Sequence, residues 1–222
     1  MAKADNKHRV LLVDDHPLLR RGLAQLINQE MDLRVVGEAE DVATALKLVD
    51  EQQPEVAVVD LSLKDSSGID LIKDIKIRAP KVLVLVLSMH DENFYAERAL
   101  RAGARGYVTK GENSTKVVEG IRELLNGKLF ISKAVSTRML SRFVGRGDAP
   151  RTGVDDLSDR EFEVLTMIGG GMQSREIAEK LHLSVKTIDA HRENLKRKLG
   201  LSDAGELLKY AIKWVQSGQQ PE

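Results

Sequence analysis

The stretch Arg9-Val-Leu-Leu-Val-Asp-Asp-His16 is a short apolar run that ends in two adjacent acidic residues. The β-branched and aliphatic residues ahead of Asp14 are typical of a strand that is buried on both faces of a parallel sheet. In such sheets, ligands bind outside the carboxyl ends of the strands. The stretch therefore predicts a central parallel strand with a ligand-binding edge directly after it.

Three other apolar runs also end in a polar residue. They are Val56-Ala-Val-Val59 before Asp60, Val82-Leu-Val-Leu-Val-Leu87 before Ser88, and Tyr107-Val-Thr109 before Lys110. Helical stretches separate the runs, so strand and helix alternate and right-handed crossovers are expected. We predict an α/β fold, a doubly wound parallel sheet, with strands near residues 8–13, 33–38, 55–60, 81–87 and 105–108. The second strand is the most polar and is expected at an edge.

The polar residues at these strand ends are suited to phosphoryl transfer. Carboxylates that converge would repel one another unless a hard cation lay among them, and Mg²⁺ prefers carboxylate and carbonyl oxygens. A carboxylate can also attack phosphorus, and the phosphoryl oxygens then need a cation and hydrogen-bond donors around them. Each residue alone is typical of a helix cap, a turn or a solvated charge, but their shared position favours one site.

The position of each residue predicts its role. Asp60 follows the central strand and is the predicted nucleophile and phosphoacceptor. Lys110 and Ser88 are predicted to bind the phosphoryl group. The predicted metal ligands act through oxygen: Asp15, Asp60 and the Ser62 carbonyl directly, and Asp14 through water.

The composition excludes several classes of protein. The chain has no cysteine, which excludes disulfides, thiolate metal sites and thiol redox motifs. Residues 1–8 contain no apolar signal segment, and no apolar run approaches membrane-spanning length. We expect a cytoplasmic protein without membrane contact. The five histidines show no spacing typical of a metal site, so no histidine is predicted as a ligand.

The net charge is zero, but the charges are unevenly distributed. Residues 1–128 contain 19 Lys/Arg and 21 Asp/Glu, residues 129–156 contain 5 and 3, and residues 157–222 contain 10 and 10. Within the last segment, residues 184–200 carry 5 basic and 2 acidic side chains. A zero total argues against nucleic acid as a partner, whereas this local basic stretch favours it.

Residues 157–222 show four helical patterns. Ser158 and Glu161 form a predicted capping box at the start of the first helix, and Gly169-Gly-Gly171 ends that helix. The glycine triplet lacks the Lys-Ser/Thr pair of a phosphate-binding loop. The other predicted helices are Ser174–Leu181, Val185–Leu199 with Ser184 as its N-cap, and a last one near Asp203–Val215.

The helix Val185–Leu199 is the predicted recognition helix. At about 100° per residue, Ile188, Leu195 and Leu199 lie on one side and are expected to face the core. The opposite side is expected to enter the DNA major groove. Predicted base contacts are Lys186, Asp189, Ala190 and Glu193, and predicted DNA-backbone contacts are Thr187, Arg192, Lys196 and Arg197. Glu193 is equally consistent with an ion pair to Arg197 one turn later. His191 lies near the core flank and is expected to pack there.

These motifs together resemble a known family. Residues 8 to about 126 resemble a response-regulator receiver domain, and residues 157 to about 217 resemble a LuxR-type helix-turn-helix. The matching motifs are Val13-Asp-Asp-His16, Asp60-Leu-Ser-Leu63 with Gly68, Leu87-Ser-Met-His90, Ala102-Gly-Ala-Arg-Gly-Tyr-Val-Thr-Lys110 and Lys186-Thr-Ile-Asp-Ala-His-Arg-Glu-Asn-Leu-Lys-Arg-Lys-Leu-Gly200. The chain is similar to NarL/FixJ-type two-component regulators. Lys64 and Gly111 depart from the pattern, because receivers often carry proline at both positions.

The resemblance implies an architecture and a set of partners. The implied strand order is 2-1-3-4-5, the flavodoxin/CheY-like order. The implied segments are a receiver over 1–128, a linker with a helix over 129–156, and a small all-α, four-helix DNA-binding domain over 157–222. A sensor histidine kinase would phosphorylate Asp60, Ser88 and Tyr107 would act as the switch, and the phosphorylated chain would bind double-stranded DNA as a homodimer, with RNA polymerase as a further partner.

Two other functions stay open. A Mg²⁺-dependent phosphatase or kinase of a small molecule would share the acidic cluster, but the chain lacks an Asp-x-Asp motif after the first strand and a phosphate-binding loop. A regulator that uses its first domain only for dimerisation would need no phosphorylation. Incubation with a small phosphodonor distinguishes these two functions from the response regulator. Turnover of a small molecule favours the phosphatase or kinase, and absence of a phosphoprotein favours the regulator that needs no phosphorylation.

Overall fold

The structure is a computed structural model that describes residues 7–63, 66–89, 92–111, 113–144 and 153–217. Lys64, His90 and residues 145–152 of the predicted linker lie outside these ranges. The chain divides into two compact units, Met1–Leu140 and Ser141–Glu222. The predicted boundaries at residues 128 and 156 remain predictions.

The first unit is built on a parallel sheet. Its strands are β1 (His8–Val13), β2 (Leu33–Ala39), β3 (Val56–Val59), β4 (Ser62–Leu63), β5 (Ser66–Ser67), β6 (Leu83–Ser88) and β7 (Gly106–Thr109). The five longer strands pair in the order β2-β1-β3-β6-β7, all parallel. This is the order 2-1-3-4-5 of the five predicted strands, so the predicted fold is confirmed. The antiparallel hairpin β4–β5 was not predicted.

Helices cover both faces of this sheet. They are α1 (Pro17–Gln29), α2 (Val42–Gln52), α3 (Gly68–Arg78), α4 (Glu92–Ala102) and α5 (Thr115–Leu125), followed by α6 (Lys133–Val144). One layer of the core joins α1 and α5 to alternate residues of the strands, among them Val10, Leu12, Val58 and Leu85. The intervening strand residues face the opposite side, where α2, α3 and α4 lie next to one another.

The strand register brings the polar residues to one edge. Val13 pairs with Val59, and Val59 pairs with Val86, so β1, β3 and β6 end at nearly the same level. The Asp60 N–H donates to the Val13 carbonyl at 2.8 Å, and the Lys110 N–H donates to the Ser88 carbonyl at 2.8 Å. The residues that follow these strands are therefore neighbours in space, as the sequence predicted.

In the part of the second unit that the structure describes, four helices follow a short 3₁₀ turn at Gly153–Asp156. They are α7 (Asp159–Gly169), α8 (Ser174–Lys180), α9 (Val185–Leu199) and α10 (Ala204–Ser217). The bounds of α9 are those predicted, and its N-cap Ser184 accepts from the Thr187 N–H at 3.1 Å. Among the described residues, every helix is too short or too polar to span a bilayer.

The predicted capping box of α7 is present and holds more than one helix. Ser158 Oγ accepts from the Glu161 N–H at 3.2 Å, and Glu161 Oε2 accepts from the Ser158 N–H at 2.8 Å. The same Glu161 oxygen accepts from Lys198 Nζ at 2.6 Å, near the end of α9. Burial raises the pKa of Glu161, but these hydrogen bonds and the Lys198 charge outweigh it, so the pKa lies below its usual value. The box therefore ties α7 to α9.

A glycine permits close contact between α7 and α10. A Cβ on Gly169 would lie 2.4 Å from the Ala211 carbonyl oxygen and 2.5 Å from a Val215 methyl carbon. Trp214 is buried beside this contact and packs edge-to-face against Phe162, with ring centroids 6.4 Å apart. The predicted end of α7 at the glycine triplet is thus also a packing site for the last helix.

Candidate functional site

The turn between β1 and α1 fixes the first two acidic residues. The Asp14 N–H donates to the Ala39 carbonyl at 3.1 Å, and Asp14 Oδ1 accepts from the His16 N–H at 2.8 Å. Pro17 then begins α1, at a position where the helix needs no N–H. Asp14 is buried and Asp15 is half-buried, so both carboxylates are held at the edge of the sheet.

Asp60 lies at the centre of the same edge. It directly follows β3, the middle strand of the sheet, and only 2% of the residue is exposed. Its Oδ1 accepts from the Ser62 N–H at 3.1 Å, at the start of the β4–β5 hairpin. The hairpin therefore orients one oxygen of this carboxylate. The role predicted for the Ser62 carbonyl stays a prediction.

Lys110 joins two of the carboxylates. Its Nζ lies 2.6 Å from Asp60 Oδ2 and 2.8 Å from Asp14 Oδ2, and all three side chains are nearly inaccessible to solvent. Because Lys110 follows β7 and its N–H is bonded to the Ser88 carbonyl, the backbone holds the ammonium group over the central strand. The structure thus brings together three of the residues predicted from separate strand ends.

The electrostatics of the cluster follow from its burial. Burial raises the pKa of Asp60 to about 6, although the Lys110 charge and hydrogen bond oppose the rise. Burial lowers the pKa of Lys110, but the adjacent Asp60 and Asp14 carboxylates outweigh it and raise the pKa above its usual value. Lys110 therefore stays protonated, and its single charge faces more than one carboxylate.

The acidic residues could hold a metal ion together with a histidine. One donor atom from each of Asp14, Asp15, His16 and Asp60 lies within 4.8 Å of the other three. The donor set, three carboxylates at a partly open edge, suits a hard divalent cation such as Mg²⁺. The spacing along the chain predicted no histidine as a ligand, whereas His16 lies among the donor atoms of this cluster. Spacing along the chain did not single out His16, because the other donor atoms come from Asp14 and Asp15 in the same turn and from Asp60, directly after β3.

Ser88 and Tyr107 are both buried and are hydrogen-bonded to each other through their side chains. They stand on the neighbouring strands β6 and β7, where Val86 pairs with Tyr107 and Ser88 pairs with Thr109. Burial raises the pKa of Tyr107 far above its usual value, so the hydroxyl is neutral. The two residues predicted as a switch are thus in direct contact in this structure.

Arg20 supports the β1–α1 turn and was not predicted. Its guanidinium donates to the Asp14 carbonyl oxygen, and its Nε lies 3.3 Å from Glu38 Oε2 on β2. The side chain is only 14% exposed. Helical side chains point toward the amino-terminal end of their helix, so an arginine in the first turn of α1 was placed to reach this loop. The periodicity of α1 alone did not distinguish Arg20 from a surface residue.

Gly68 brings α3 against the Asp60 backbone. Its N–H donates to the Leu61 carbonyl at 2.9 Å. A Cβ at this position would lie 2.1 Å from the Asp60 carbonyl oxygen and 2.6 Å from Leu61 Cα. These contacts are with backbone atoms, which cannot rotate away. Only glycine at the first position of α3 therefore allows the backbone of Asp60 and Leu61 to keep its present conformation.

The second unit presents the predicted DNA-binding face on α9. Ile188 and Leu195 are fully buried and Leu199 is half-buried, which confirms the side of the helix that faces the core. The residues of α9 that are predicted to contact DNA differ in how exposed they are. Lys186, Asp189, Ala190, Glu193 and Arg197 are exposed, whereas Thr187, Arg192 and Lys196 are half-buried. Their contacts with DNA stay predictions.

Two side chains of α9 have other neighbours than expected. Glu193 pairs with Lys196 at 3.0 Å, and Arg197 donates to Asn194 Oδ1 at 2.9 Å. Glu193 thus pairs with a neighbouring cation, as the alternative suggested, but its partner is Lys196, three residues later, and not Arg197. His191 is half-buried, as expected. Burial and the nearby Arg160 charge lower its pKa, so it is neutral near pH 7.

The last helix buries only part of its apolar surface. Leu207 and Ala211 are fully buried, Ile212 and Val215 are half-buried, and Leu208 is 41% exposed. Leu208, Ile212 and Val215 are spaced to lie along one side of α10. That side is only partly covered within the second unit, and Leu208 is its exposed member, whereas Val215 lies close to Gly169 of α7.

Comparison with protein families agrees with this architecture. Residues 10–122 match the model described as response regulator receiver domain. Residues 155–211 match the model described as bacterial regulatory proteins, luxR family. The two matches coincide with the carboxylate-bearing sheet and with the helical unit that contains α9.

Several known proteins are similar over nearly the whole chain. The oxygen regulatory protein NreC of Staphylococcus aureus (strain MRSA252) is 34% identical over 210 residues, which is 92% of this chain and 97% of that protein. A solved structure shows RcsB from Salmonella enterica serovar Typhimurium bound to promoter rprA in the presence of the phosphomimetic BeF3⁻. It is 30% identical to this chain, with a TM-score of 0.60, and the match covers 93% of this chain and 99% of RcsB. A structure of two RcsB dimers bound to two parallel DNAs is 31% identical with a TM-score of 0.57, over 93% and 98%.

Proposed function

Because this chain belongs to the NarL/FixJ-type response regulators, with a receiver domain and a LuxR-type DNA-binding domain, we propose that phosphorylation of Asp60 controls its binding to DNA. The chain is a two-component response regulator of transcription rather than a typical enzyme. The observation that carries the proposal is the contact of Lys110 Nζ with both Asp60 and Asp14. A buried lysine over a buried carboxylate at the central strand is suited to hold a phosphoryl group on that carboxylate.

The residues of the receiver act on the phosphoryl group in different ways. A carboxylate oxygen of Asp60 forms the new bond to phosphorus as the bond between phosphorus and the donor breaks. Lys110 pairs with the negative charge of the phosphoryl oxygens, and the Ser88 hydroxyl donates to one of them. Asp14, Asp15, Asp60 and the Ser62 carbonyl would hold Mg²⁺. When bound, this ion offsets the charge that the acidic residues and the phosphoryl group bring together.

The switch would begin at Ser88. A Ser88 hydroxyl that donates to a phosphoryl oxygen gives up its present bond to Tyr107, so the two buried side chains must rearrange together. Tyr107 lies on β7, at the edge of the sheet next to α4. We propose that a change there alters the face of the receiver that contacts a second receiver. The equilibrium between two conformations would then depend on phosphorylation.

The partners follow from the family and from its relatives. A sensor histidine kinase would donate the phosphoryl group in the cytoplasm. RcsB has been seen bound to promoter DNA and as dimers on DNA. We propose that this chain also binds double-stranded DNA as a homodimer, with α9 in the major groove. RNA polymerase would be a further partner at the promoter.

The DNA-binding unit gives a direct test of this function. We expect a fragment of residues 150–222 to bind DNA without phosphorylation, because the receiver is no longer attached. Its affinity should fall with salt at a log–log slope near −0.9 per phosphate neutralised, with about four to six phosphates per unit. Electrophoretic mobility shifts over a series of salt concentrations measure both. Replacing Arg192 and Arg197, both predicted to contact the DNA backbone, with alanine should reduce the slope by about two. A fragment that folds but shows no salt-dependent binding would refute the assignment.

The contact at Gly68 predicts that a substitution there impairs phosphorylation, although Gly68 has no side chain that could take part in the reaction. We expect Gly68→Ala to slow labelling by acetyl phosphate by about tenfold or more, because the new Cβ must displace the Asp60 backbone and a shift near 1 Å can cost that much. The matched control is Gly22→Ala on α1, where a Cβ would meet nothing within 4 Å. That variant should label normally and gain about 0.5–1 kcal/mol in stability. Equal labelling rates in both folded variants would contradict the prediction.

A further inference from the structure

His16 places a ring nitrogen on the acidic pair. Its Nδ1 lies 2.7 Å from Asp15 Oδ1 and 3.2 Å from Asp14 Oδ1. The side chain is 64% exposed, so the imidazole stands at the solvent side of the site, above buried carboxylates. A cation that enters the cluster from solvent therefore meets a nitrogen donor as well as oxygens.

The spacing of the donor atoms suits a single ion. Ligands bound to one octahedral ion at about 2.1 Å are about 3 Å apart when adjacent and about 4.2 Å apart when opposite. The donor atoms of Asp14, Asp15, His16 and Asp60 lie within 4.8 Å of one another. Small movements of side chains would bring the imidazole and at least two carboxylates to one ion.

The His16 side chain is not needed for the local backbone. Asp14 Oδ1 already accepts from the His16 backbone N–H at 2.8 Å, and Pro17 begins the helix whatever side chain precedes it. An exposed imidazole–carboxylate pair contributes little to stability. Structure alone thus gives little reason for a histidine at this position.

We propose that His16 is a nitrogen ligand that makes the site bind transition-metal ions such as Mn²⁺, Co²⁺ and Ni²⁺ in preference to Mg²⁺. The inference rests on the proposed function, in which Asp15 and Asp60 hold a divalent cation. Imidazole suits these ions and adds affinity along the series from Mn²⁺ to Ni²⁺, whereas Mg²⁺ keeps oxygen ligands and water. The metal that supports phosphorylation would then depend on which divalent ions are present.

Calorimetric titration of the full-length protein at pH 8 with MgCl₂ and with NiCl₂ tests the proposal. We expect His16→Ala to weaken Ni²⁺ binding about tenfold or more and to change the Mg²⁺ Kd by less than about threefold. His16→Asn, which keeps a polar side chain, should behave in the same way. With Mn²⁺ bound, the nitrogen coupling in pulsed electron paramagnetic resonance should be present in the wild type and absent in both variants.

The matched control is His8. Its Nδ1 also pairs with a carboxylate, at 3.0 Å from Glu55 Oε1, but at the opposite end of β1 and outside the cluster. His8→Ala should leave both metal affinities unchanged. This control separates a ligand at the site from adventitious binding of Ni²⁺ to a surface histidine.

Three outcomes would overturn the inference. If His16→Ala changes Mg²⁺ and Ni²⁺ binding by the same factor, the imidazole gives the site no preference for transition-metal ions. If Ni²⁺ binding does not respond to His16→Ala while Asp15→Asn abolishes Mg²⁺ binding, the inference fails and the proposed metal site stands. If Asp15→Asn leaves Mg²⁺ binding unchanged, the proposed metal site fails and the inference fails with it.

Discussion

Asp60→Asn is expected to abolish labelling of this protein by acetyl phosphate and Mg²⁺, to below about 1% of the wild-type level. The amide keeps the shape of the side chain but lacks the oxygen nucleophile that attacks phosphorus. The wild type should take up one phosphoryl group per chain, because Asp60 is the carboxylate that both follows the central strand and contacts Lys110. Intact-mass spectrometry measures the stoichiometry in both proteins.

The control for this prediction is Asp70→Asn on α3. Asp70 is exposed and pairs only locally in sequence, with Lys73 at 3.0 Å, so its loss should leave labelling unchanged. Asp60→Asn should remain folded, because it removes a buried charge whose pKa is already raised by burial. Undiminished labelling of a folded Asp60→Asn protein would place the phosphoacceptor elsewhere and would remove the main support for the proposed function.

The residues of the site that could be predicted from the sequence are those that follow apolar runs. The carboxyl ends of parallel strands share one edge, so the positions of Asp14, Asp60, Ser88 and Lys110 followed from periodicity and topology alone. The order of the strands required the resemblance to a family, because a list of buried strands is compatible with several orders. The register then confirmed that these ends lie at one level.

The residues that could not be predicted depend on contacts between elements. Arg20 and Gly68 act through the backbone of Asp14 and Asp60. Gly68 was matched only as part of the family motif, and neither contact has a sequence pattern of its own. His16 was excluded because metal motifs are recognised by spacing along the chain, whereas here the partner Asp60 is 44 positions away. On α9, helical geometry allowed partners three or four residues apart for Glu193, and only the rotamers decided between them.

The apolar side of α10 indicates how two DNA-binding units would associate. The side defined by Leu208, Ile212 and Val215 is only partly covered within the second unit. In the proposed dimer, a second copy of the same side would cover it, related by a two-fold axis. Two-fold symmetry in the protein requires an inverted repeat in the DNA, with half-sites about one helical turn apart. Dimer affinity and operator affinity are then coupled.

We expect Leu208→Glu to weaken binding to a full operator by about a hundredfold, while binding to a half-site changes less than about threefold. A carboxylate at the centre of an apolar contact makes the free energy of dimer association less favourable by about 2–3 kcal/mol. This loss affects only binding to the full operator, where two chains bind together. The operator can first be selected from random DNA with the phosphorylated wild type, and footprints on it should show two-fold symmetric protection. Mobility shifts on the full and the halved operator then measure the two affinities.

The control for this helix is Gln216→Glu, which adds the same charge to an exposed residue near the end of α10. If Leu208→Glu acted through general repulsion of DNA phosphates, both variants would lose affinity alike, and the half-site would suffer as much as the full operator. If Leu208→Glu acts through the dimer, it alone should weaken binding to the full operator more than binding to the half-site. Sedimentation of the phosphorylated Leu208→Glu protein should then show a smaller dimer fraction than the wild type. Equal losses on both DNAs, with the fold intact, would exclude α10 from the dimer contact and would leave the receiver as the place where the two chains meet.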